Sequence, residues 1–311
     1  MVQQAHFIQA ILENPDDDAP RLVFADWLEE RGDPWGEFIR VQCALAHQQS
    51  QAGQRYNELY ARQSRLLHEH PEWHEPLHTL GISLASPSFN FRQGFIEYLD
   101  IDAHLFLYRG AALFQAAPLL RRVRLQKAAE HMRAWKTCSS LRRLISLEFG
   151  EYDIDAAGAQ ALANSPHLLR LTRLSFGSAP PSGGYGGNAV GDGGARAIAA
   201  APALAQLTEL DLSFNRIGDA GARALAASPQ LGQLAQLDLG DNEIGESGVQ
   251  ALIDSPHLTH LAALGLRNNP GSGVVCEYGY DWGMVSAVYS KLDESAAARL
   301  RARFRQRLRI Y

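Results

Sequence analysis

The sequence predicts an α/β solenoid, a row of stacked coils that each contain one short strand and one helix. Leu207, Leu234 and Leu261 lie 27 residues apart, and each opens the same phrase. Within the phrase, apolar and polar residues alternate as in a strand with one buried face, and a helix-forming run follows. One such coil cannot bury its apolar face alone, so the copies are expected to stack.

The copy that begins at Leu207 shows how one coil is built. The leucines that follow predict a strand, and Asn215 stands at the turn, where a buried side-chain amide can satisfy backbone groups. Asp219 is expected to cap the helix that follows it, and Pro229 to end that helix. The pattern L-x-x-L-x-L-x-x-N is typical of leucine-rich repeats.

The same phrase recurs along most of the chain. Copies begin at Ile96, Leu120, Leu144, Leu171, Leu207, Leu234 and Leu261. The copy from Leu171 holds nine extra residues, Ala179–Gly187, and their removal restores the 27-residue period. The sequence therefore predicts a horseshoe of about seven coils over residues 81–273. The period and the glycine-containing helix resemble the ribonuclease-inhibitor class of these repeats.

Residues 1–80 have no strand alternation and predict a small all-helical module. The apolar spacing indicates helices over His6–Leu12, Leu22–Leu28, Trp35–Ala46 and Tyr56–Leu67, and Gln48–Gly53 reads as a polar loop. The stretches ADWLEERGDP and GEFIRVQ, within residues 25–42, resemble the bacterial repeat-companion domain, a short module at the start of repeat-containing proteins. That resemblance implies an architecture and brings no biochemical activity with it.

Composition argues against several classes of protein. A net charge of −5 is opposite to that of a typical nucleic-acid binder. The three cysteines, Cys43, Cys138 and Cys276, are far apart, as reduced thiols of a cytosolic protein would be. We find no signal peptide and no apolar run long enough to span a bilayer. The expectation is a cytoplasmic protein with neither a nucleic-acid nor a membrane partner.

Two clusters of polar residues are interpreted as structural, with a metal site and a docking face as the alternatives. The histidines are His68, His70, His74 and His78, and two prolines among them interrupt the helix that would align metal ligands. The acids are Asp26, Glu29, Glu30 and Asp33, which read as a solvated helix face with Asp26 paired to a nearby arginine. The sequence predicts no catalytic residue, cofactor or metal.

The glycine-rich run Ser182–Gly194 lacks the lysine of a phosphate-binding loop. Its second half is the turn of a repeat, and its first half is an insertion that is either mobile or a binding element. The residues of interest there are Pro180, Pro181 and Tyr185.

The strongest candidate site is the concave face of the predicted sheet. The positions between the leucines point outward there, and adjacent strands lie about 4.8 Å apart, so these side chains form a continuous surface. We call this surface the ladder face. Its candidate binding residues are Tyr98, Asp100, Asp102, Arg122, Arg124, Glu148, Arg173, Glu209, Asp211, Gln236, Asp238 and Arg267, and Ser146 is expected on the same face.

Residues 274–311 predict a C-terminal cap, with a helix from Asp281 and a final extended piece. The repeats, together with the absence of a catalytic constellation in the sequence, favour a non-catalytic scaffold that binds another protein through the ladder face. The alternatives are regulators of a partner enzyme, either an activator of a GTPase or an inhibitor or sensor subunit of a protease or toxin.

Overall fold

The structure is a computed structural model that describes residues 2–48, 53–82, 89–150, 154–177 and 188–270, with short strands at 274–275, 288–289 and 309–310. The chain forms two compact units. Unit 1 holds residues 1–101 and 109–122, and unit 2 holds residues 102–108 and 123–311. Residues 49–52 of the predicted loop, Pro180, Pro181, Tyr185 and most of the predicted cap lie outside the described residues.

Unit 1 begins with helices, as its sequence predicts. The elements are α1 (Val2–Glu13), α2 (Ala19–Glu29), α3 (Trp35–Ala46), α4 (Gln54–Glu69) and α5 (Glu75–His78), followed by the antiparallel strands β1 (Phe89–Arg92) and β2 (Phe95–Asp102) and by helix α6 (Ala103–Ala116). Residues 102–108, at the end of β2 and the start of α6, belong to unit 2. Helix α3 has the predicted bounds, and the other three predicted helices extend by a few residues beyond theirs.

An aromatic cluster forms the core of unit 1. Phe24 stacks on Phe7 with ring centroids 5.3 Å apart, and Trp35 contacts Phe95 at 5.5 Å. The indole N–H of Trp35 donates to the carbonyl of Gly94 at 2.9 Å, which ties α3 to the β1–β2 turn. Packing of this kind stabilises aromatic residues beyond their buried area alone.

A buried ion-pair network joins the helices of unit 1 to strand β2. Glu97 is only 2% exposed, and its carboxylate accepts hydrogen bonds from Arg21 at 2.6 Å and from Arg121 at 2.9 Å. At the surface, Arg40 on α3 pairs with Asp26 and Glu29 on α2, so the pairing of Asp26 with a nearby arginine is confirmed.

Unit 2 contains the stacked coils. Its strands lie side by side in chain order as β3 (Arg122–Gln126, of which Arg122 belongs to unit 1), β4 (Ser146–Phe149), β5 (Arg173–Ser175), β6 (Glu209–Asp211), β7 (Gln236–Asp238) and β8 (Ala263–Gly265). Strands β4 to β8 pair in parallel, each with the next. Its helices are α7 (Ala156–Ala163), α8 (Gly191–Ala199), α9 (Asp219–Ala226) and α10 (Glu246–Ile253), and each packs on the next. Three-ten segments lie at 128–137, 139–143, 202–204 and 229–231. The leucines of the repeated phrase are buried in the core of unit 2.

Strand register confirms the predicted insertion. Arg173 of β5 pairs with Glu209 of β6 across 36 residues, whereas Glu209 pairs with Gln236 across 27. The difference is nine residues, the length of the predicted insertion Ala179–Gly187. The ladder therefore continues past the insertion without a shift in register.

The turn asparagines act as the sequence predicts and also bind the preceding coil. The side-chain oxygen of Asn242 accepts from the backbone N–H groups of Asn215 at 3.0 Å and Ile217 at 2.9 Å. Its amide nitrogen donates to the carbonyl of Leu212 at 2.9 Å. Buried backbone groups at the turns are paired in this way.

The predicted role of Asp219 as the cap of its own helix is wrong. Helix α9 begins at Asp219 itself, after Gly218. The Asp219 carboxylate instead accepts from the backbone N–H groups of Gly245 at 2.8 Å and Gly248 at 2.9 Å, at the start of α10. Asp192 bonds Gly218 and Gly221 at the start of α9 in the same way. Each aspartate caps the helix of the next coil, because stacking brings that helix start close to it.

Within the stretch predicted as helix from Asp281, the described residues Val288–Tyr289 form strand β10 instead, which pairs antiparallel with β9 (Val274–Val275). The final extended piece is present as β11 (Arg309–Ile310), which pairs in parallel with β8, the strand of the last repeat.

Candidate binding face

The ladder face of unit 2 holds a cavity of about 420 Å³. Strands β3 to β7 supply its lining, since alternate residues of each strand turn outward while the leucines are buried. The predicted binding residues that line it are Arg124, Glu148, Arg173, Glu209, Asp211, Gln236 and Asp238. The structure therefore brings seven of the predicted residues together.

The other predicted residues lie elsewhere. Tyr98, Asp100 and Arg122 belong to unit 1. Asp102 belongs to unit 2, outside the cavity lining, and its carboxylate accepts from the ammonium group of Lys127 at 3.2 Å. Arg267 also lies outside the lining, beside the cavity, where its positive charge acts on Asp238.

Ser146 corrects one position of the predicted ladder. Ser146 is only 3% exposed, and its hydroxyl group has no hydrogen-bond partner among the described residues. The side chain is therefore covered instead of displayed on the ladder face.

One arginine of the cavity is already neutralised. The guanidinium group of Arg173 donates to both carboxylate oxygens of Glu209, at 2.5 and 2.6 Å, across β5 and β6. The hydrogen bond to Glu209 raises the pKa of Arg173. A bidentate pair of this kind fixes both side chains in place. Arg124, by contrast, is in no ion pair within the described part of the chain.

Asp211 is held by hydroxyl groups. Its carboxylate accepts from Ser175 at 2.9 Å and from the hydroxyl of Ser213 at 2.7 Å. The carboxylate lies directly over Gly177, where a Cβ atom would overlap it. The glycine that follows β5 thus makes room for an acid from the next strand.

Asp238 is the paired residue of Asp211 on β7. Burial raises the pKa of Asp238, and the negative charge of Asp211 raises it further, while a hydrogen bond from the Gly240 N–H at 2.8 Å opposes both. Two neighbouring carboxylates in a partly buried cavity attract a cation. The lining carries four acids against two arginines, so its excess charge is negative.

Sequence reasoning missed a second group beside the cavity. The guanidinium group of Arg267 donates to Asp241 at 2.9 Å and lies 5.7 Å from the ring centroid of Phe214. Phe214 and Asp241 are equivalent repeat positions, and both have left-handed backbones, with φ of 59° and 56°. Left-handed φ is uncommon for non-glycine residues, so only the repeat spacing could have indicated their shared geometry.

The described residues hold no group of three or more His, Cys, Asp or Glu that could bind a metal. In the histidine cluster, the ring Nδ1 of His70 donates to the carboxylate of Glu72 at 2.8 Å, and the ring stacks on Trp73. Burial raises the pKa of the Cys43 thiol to about 12, which keeps it protonated. No described helix has both the length and the apolar character to cross a membrane.

Comparisons with known proteins address the repeats. Residues 205–226 and 234–252 match the family described as Leucine Rich repeat, and they fall in the coils that begin at Leu207 and Leu234. No curated protein sequence matches the chain. Among solved structures, an internalin from Listeria monocytogenes resembles it with a TM-score of 0.31 and 18% identity. The match covers 50% of this chain and 43% of the internalin, so it spans less than half of that protein.

Two successive coils of the chain thus match the Leucine Rich repeat family, and strands β4 to β8 of unit 2 stack in parallel in chain order. Proteins built from such repeats generally bind other proteins, and the stacked strands commonly provide the binding surface.

Proposed function

We propose that this chain is a non-catalytic, cytoplasmic scaffold that binds a partner protein through the ladder face of unit 2. The observation that carries the proposal is the cavity of about 420 Å³, whose lining includes seven of the predicted outward residues from successive strands. A concave site of this volume can hold a side chain of a partner protein, which a flat sheet face cannot. The N-terminal helices act as an adaptor or a cap in this proposal.

The charge of the cavity indicates the chemistry of the partner. Asp211 and Asp238 stand side by side, and Glu148 lies on the same face. A lysine or arginine side chain of the partner would form charge-assisted hydrogen bonds with these carboxylates. It would also relieve the repulsion between Asp211 and Asp238.

The alternative of a regulator for a partner enzyme uses the same face. One way for an activator to act is to present an arginine to the phosphates of the partner GTPase. Glu209 holds Arg173 in a bidentate pair, so that arginine is engaged within the chain. Arg124 is the second arginine of the lining, but four acids outnumber these two arginines, so we place binding of a basic side chain before activation.

The test compares the wild type with a variant whose ladder-face acids are neutralised. We expect the triple variant Glu209→Gln, Asp211→Asn and Asp238→Asn to lose its partner when proteins retained from a lysate of the native organism are compared by quantitative mass spectrometry. The matched control carries the same change in net charge at exposed acids of the coil that begins at Leu234, as Glu243→Gln, Glu246→Gln and Asp254→Asn.

A partner retained by the wild type and the control, and reduced about tenfold or more by the ladder variant, supports the proposal. If a folded ladder variant retains the same proteins as the wild type, the ladder face is not the binding surface.

A further inference from the structure

A second cleft of unit 2 lies where two successive coils return toward their strands. It has a volume of about 510 Å³ and shares no lining residue with the cavity of the ladder face. We call it the arginine cleft. Its lining residues are Arg142, Arg143, Pro166, His167, Leu169 and Arg170. The lining contains three arginines and no carboxylate.

The repeat register sets two of these arginines side by side. Arg143 and Arg170 each precede the first leucine of a coil, 27 residues apart, and the two coils are adjacent in the sheet. Burial lowers the pKa of Arg143, and the positive charge of Arg170 lowers it further. Within the described part of the chain, neither Arg142 nor Arg170 is in an ion pair. The cleft thus concentrates positive charge on a chain whose net charge is −5.

An apolar side chain lies within the same cleft. Leu169 is 64% exposed and stands next to Arg170, with Pro166 also in the lining. An exposed leucine in a concave site favours a ligand that brings an apolar group, which attraction between charges alone would not require. A ligand that satisfies the whole cleft carries both negative charge and an apolar group.

We propose that the arginine cleft binds an acidic segment of a protein, with its carboxylates on Arg142, Arg143 and Arg170 and an apolar side chain against Leu169. Guanidinium groups match carboxylates in bidentate geometry, and bound carboxylates remove the repulsion between neighbouring arginines. This surface is separate from the ladder face, so the two sites can bind independently.

The lining favours a protein over a nucleic acid. Apart from His167, no aromatic ring lines the cleft, and base stacking on aromatic side chains is a main source of single-strand affinity. The negative net charge of the chain also opposes a long phosphate backbone.

The repeats supply a well-matched variant for the test. Gln206 and Gln233 occupy the position of Arg143 and Arg170 in the next two coils, so glutamine is compatible with the fold there. The test variant is Arg143→Gln with Arg170→Gln. The control is Arg196→Gln with Arg223→Gln, which changes the net charge equally on helices α8 and α9.

The probe is a fluorescein-labelled peptide of sequence EELEEL, titrated by fluorescence anisotropy against the full chain, with QQLQQL as its neutral counterpart. We expect EELEEL to bind the wild type and the control about tenfold or more tightly than QQLQQL. The test variant is expected to lose that preference, Leu169→Ser to weaken EELEEL binding, and the ladder-face variant to keep it.

Equal affinity for the two peptides, an unchanged test variant, or an equal loss in the control each overturns the proposal. Tighter binding of an oligothymidine of about twelve nucleotides through the same arginines overturns the assignment to a protein partner. Thermal unfolding of each variant identifies a loss that comes from misfolding. The results leave the ladder-face proposal untouched, since the two experiments use different residues.

Discussion

At the scale of single residues, the buried asparagines bind each turn to the coil before it. Asn215, Asn242 and Asn269 are each 7% exposed or less, and each side-chain amide pairs with backbone groups. Because a buried backbone group without a partner is costly, one side chain that satisfies several groups contributes more than an ordinary hydrogen bond.

We expect Asn242→Ala to lower the free energy of unfolding by about 2–4 kcal/mol, because several buried backbone groups lose their partner. Urea unfolding followed by circular dichroism measures the change. Gln233→Ala, at the exposed position immediately before the same coil, serves as the control and is expected to change the free energy by less than about 0.5 kcal/mol. Equal effects of the two substitutions would contradict the role of the asparagine.

The ionised carboxylate of Asp238 lowers the free energy of unfolding in a pH-dependent way. Its pKa is raised by burial above the ordinary value of 3.8, so the folded chain binds the proton more readily than the unfolded chain. The ionised carboxylate therefore destabilises the fold at neutral pH. This destabilisation decreases as the pH falls below the raised pKa of Asp238. It is lost below 3.8, where the carboxyl group is protonated in the folded and the unfolded chain alike.

Asp238→Asn removes this cost while its side-chain oxygen can still accept from the Gly240 N–H. We expect the variant to be more stable than the wild type at pH 7, and the difference to shrink as the pH falls toward 3.8. Unfolding by urea at a series of pH values checks this. A difference that is constant with pH would show that the carboxylate is not destabilising in the folded state.

At the scale of elements, the helices depend on neighbouring coils for their caps. Asp192 bonds the first turn of α9, and Asp219 bonds that of α10. The helix glycines belong to the same arrangement, because a Cβ at Gly221 would lie 2.7 Å from the Asp192 carboxylate and one at Gly248 would lie 2.6 Å from that of Asp219. The repeated glycine therefore serves close packing between coils.

We expect Asp219→Ala to cost about 0.5–2 kcal/mol of unfolding free energy, the usual effect of a lost helix cap. Hydrogen exchange should accelerate at the first amides of α10, including that of Gly248, and not at the start of α9, where Asp219 itself lies. Asp219→Asn keeps one acceptor oxygen and should have a smaller effect. Faster exchange confined to the start of α9 would contradict the cap between coils.

At the scale of the whole molecule, the solenoid of unit 2 tolerates the nine-residue insertion because the strands on either side keep their register. Leu174 pairs with Leu210 as Leu210 pairs with Leu237. Closing a somewhat longer connection costs little, since doubling a flexible loop costs only about 0.6 kcal/mol.

Deletion of Ala179–Gly187 is therefore expected to leave the free energy of unfolding within about 0.6 kcal/mol of the wild type. Differential scanning calorimetry of the full chain and the deletion variant measures this. A large fall in melting temperature would show that the insertion is part of the structure. Deletion of helix α9, Asp219–Ala226, is a control of similar length and is expected to unfold its coil.

The sequence by itself determined the repeating elements, the register across the insertion and most of the outward residues of unit 2. These follow from local periodicity, because strand alternation and the 27-residue spacing dictate which side chains are buried. Only the tertiary structure decided which side chains contact one another across the fold. It placed Glu97 between Arg21 and Arg121, turned Asp219 to the next helix, covered Ser146 and set Arg143 beside Arg170. Such contacts depend on how the coils stack and on which side chains reach from one element to another. No periodic pattern along one coil contains that information.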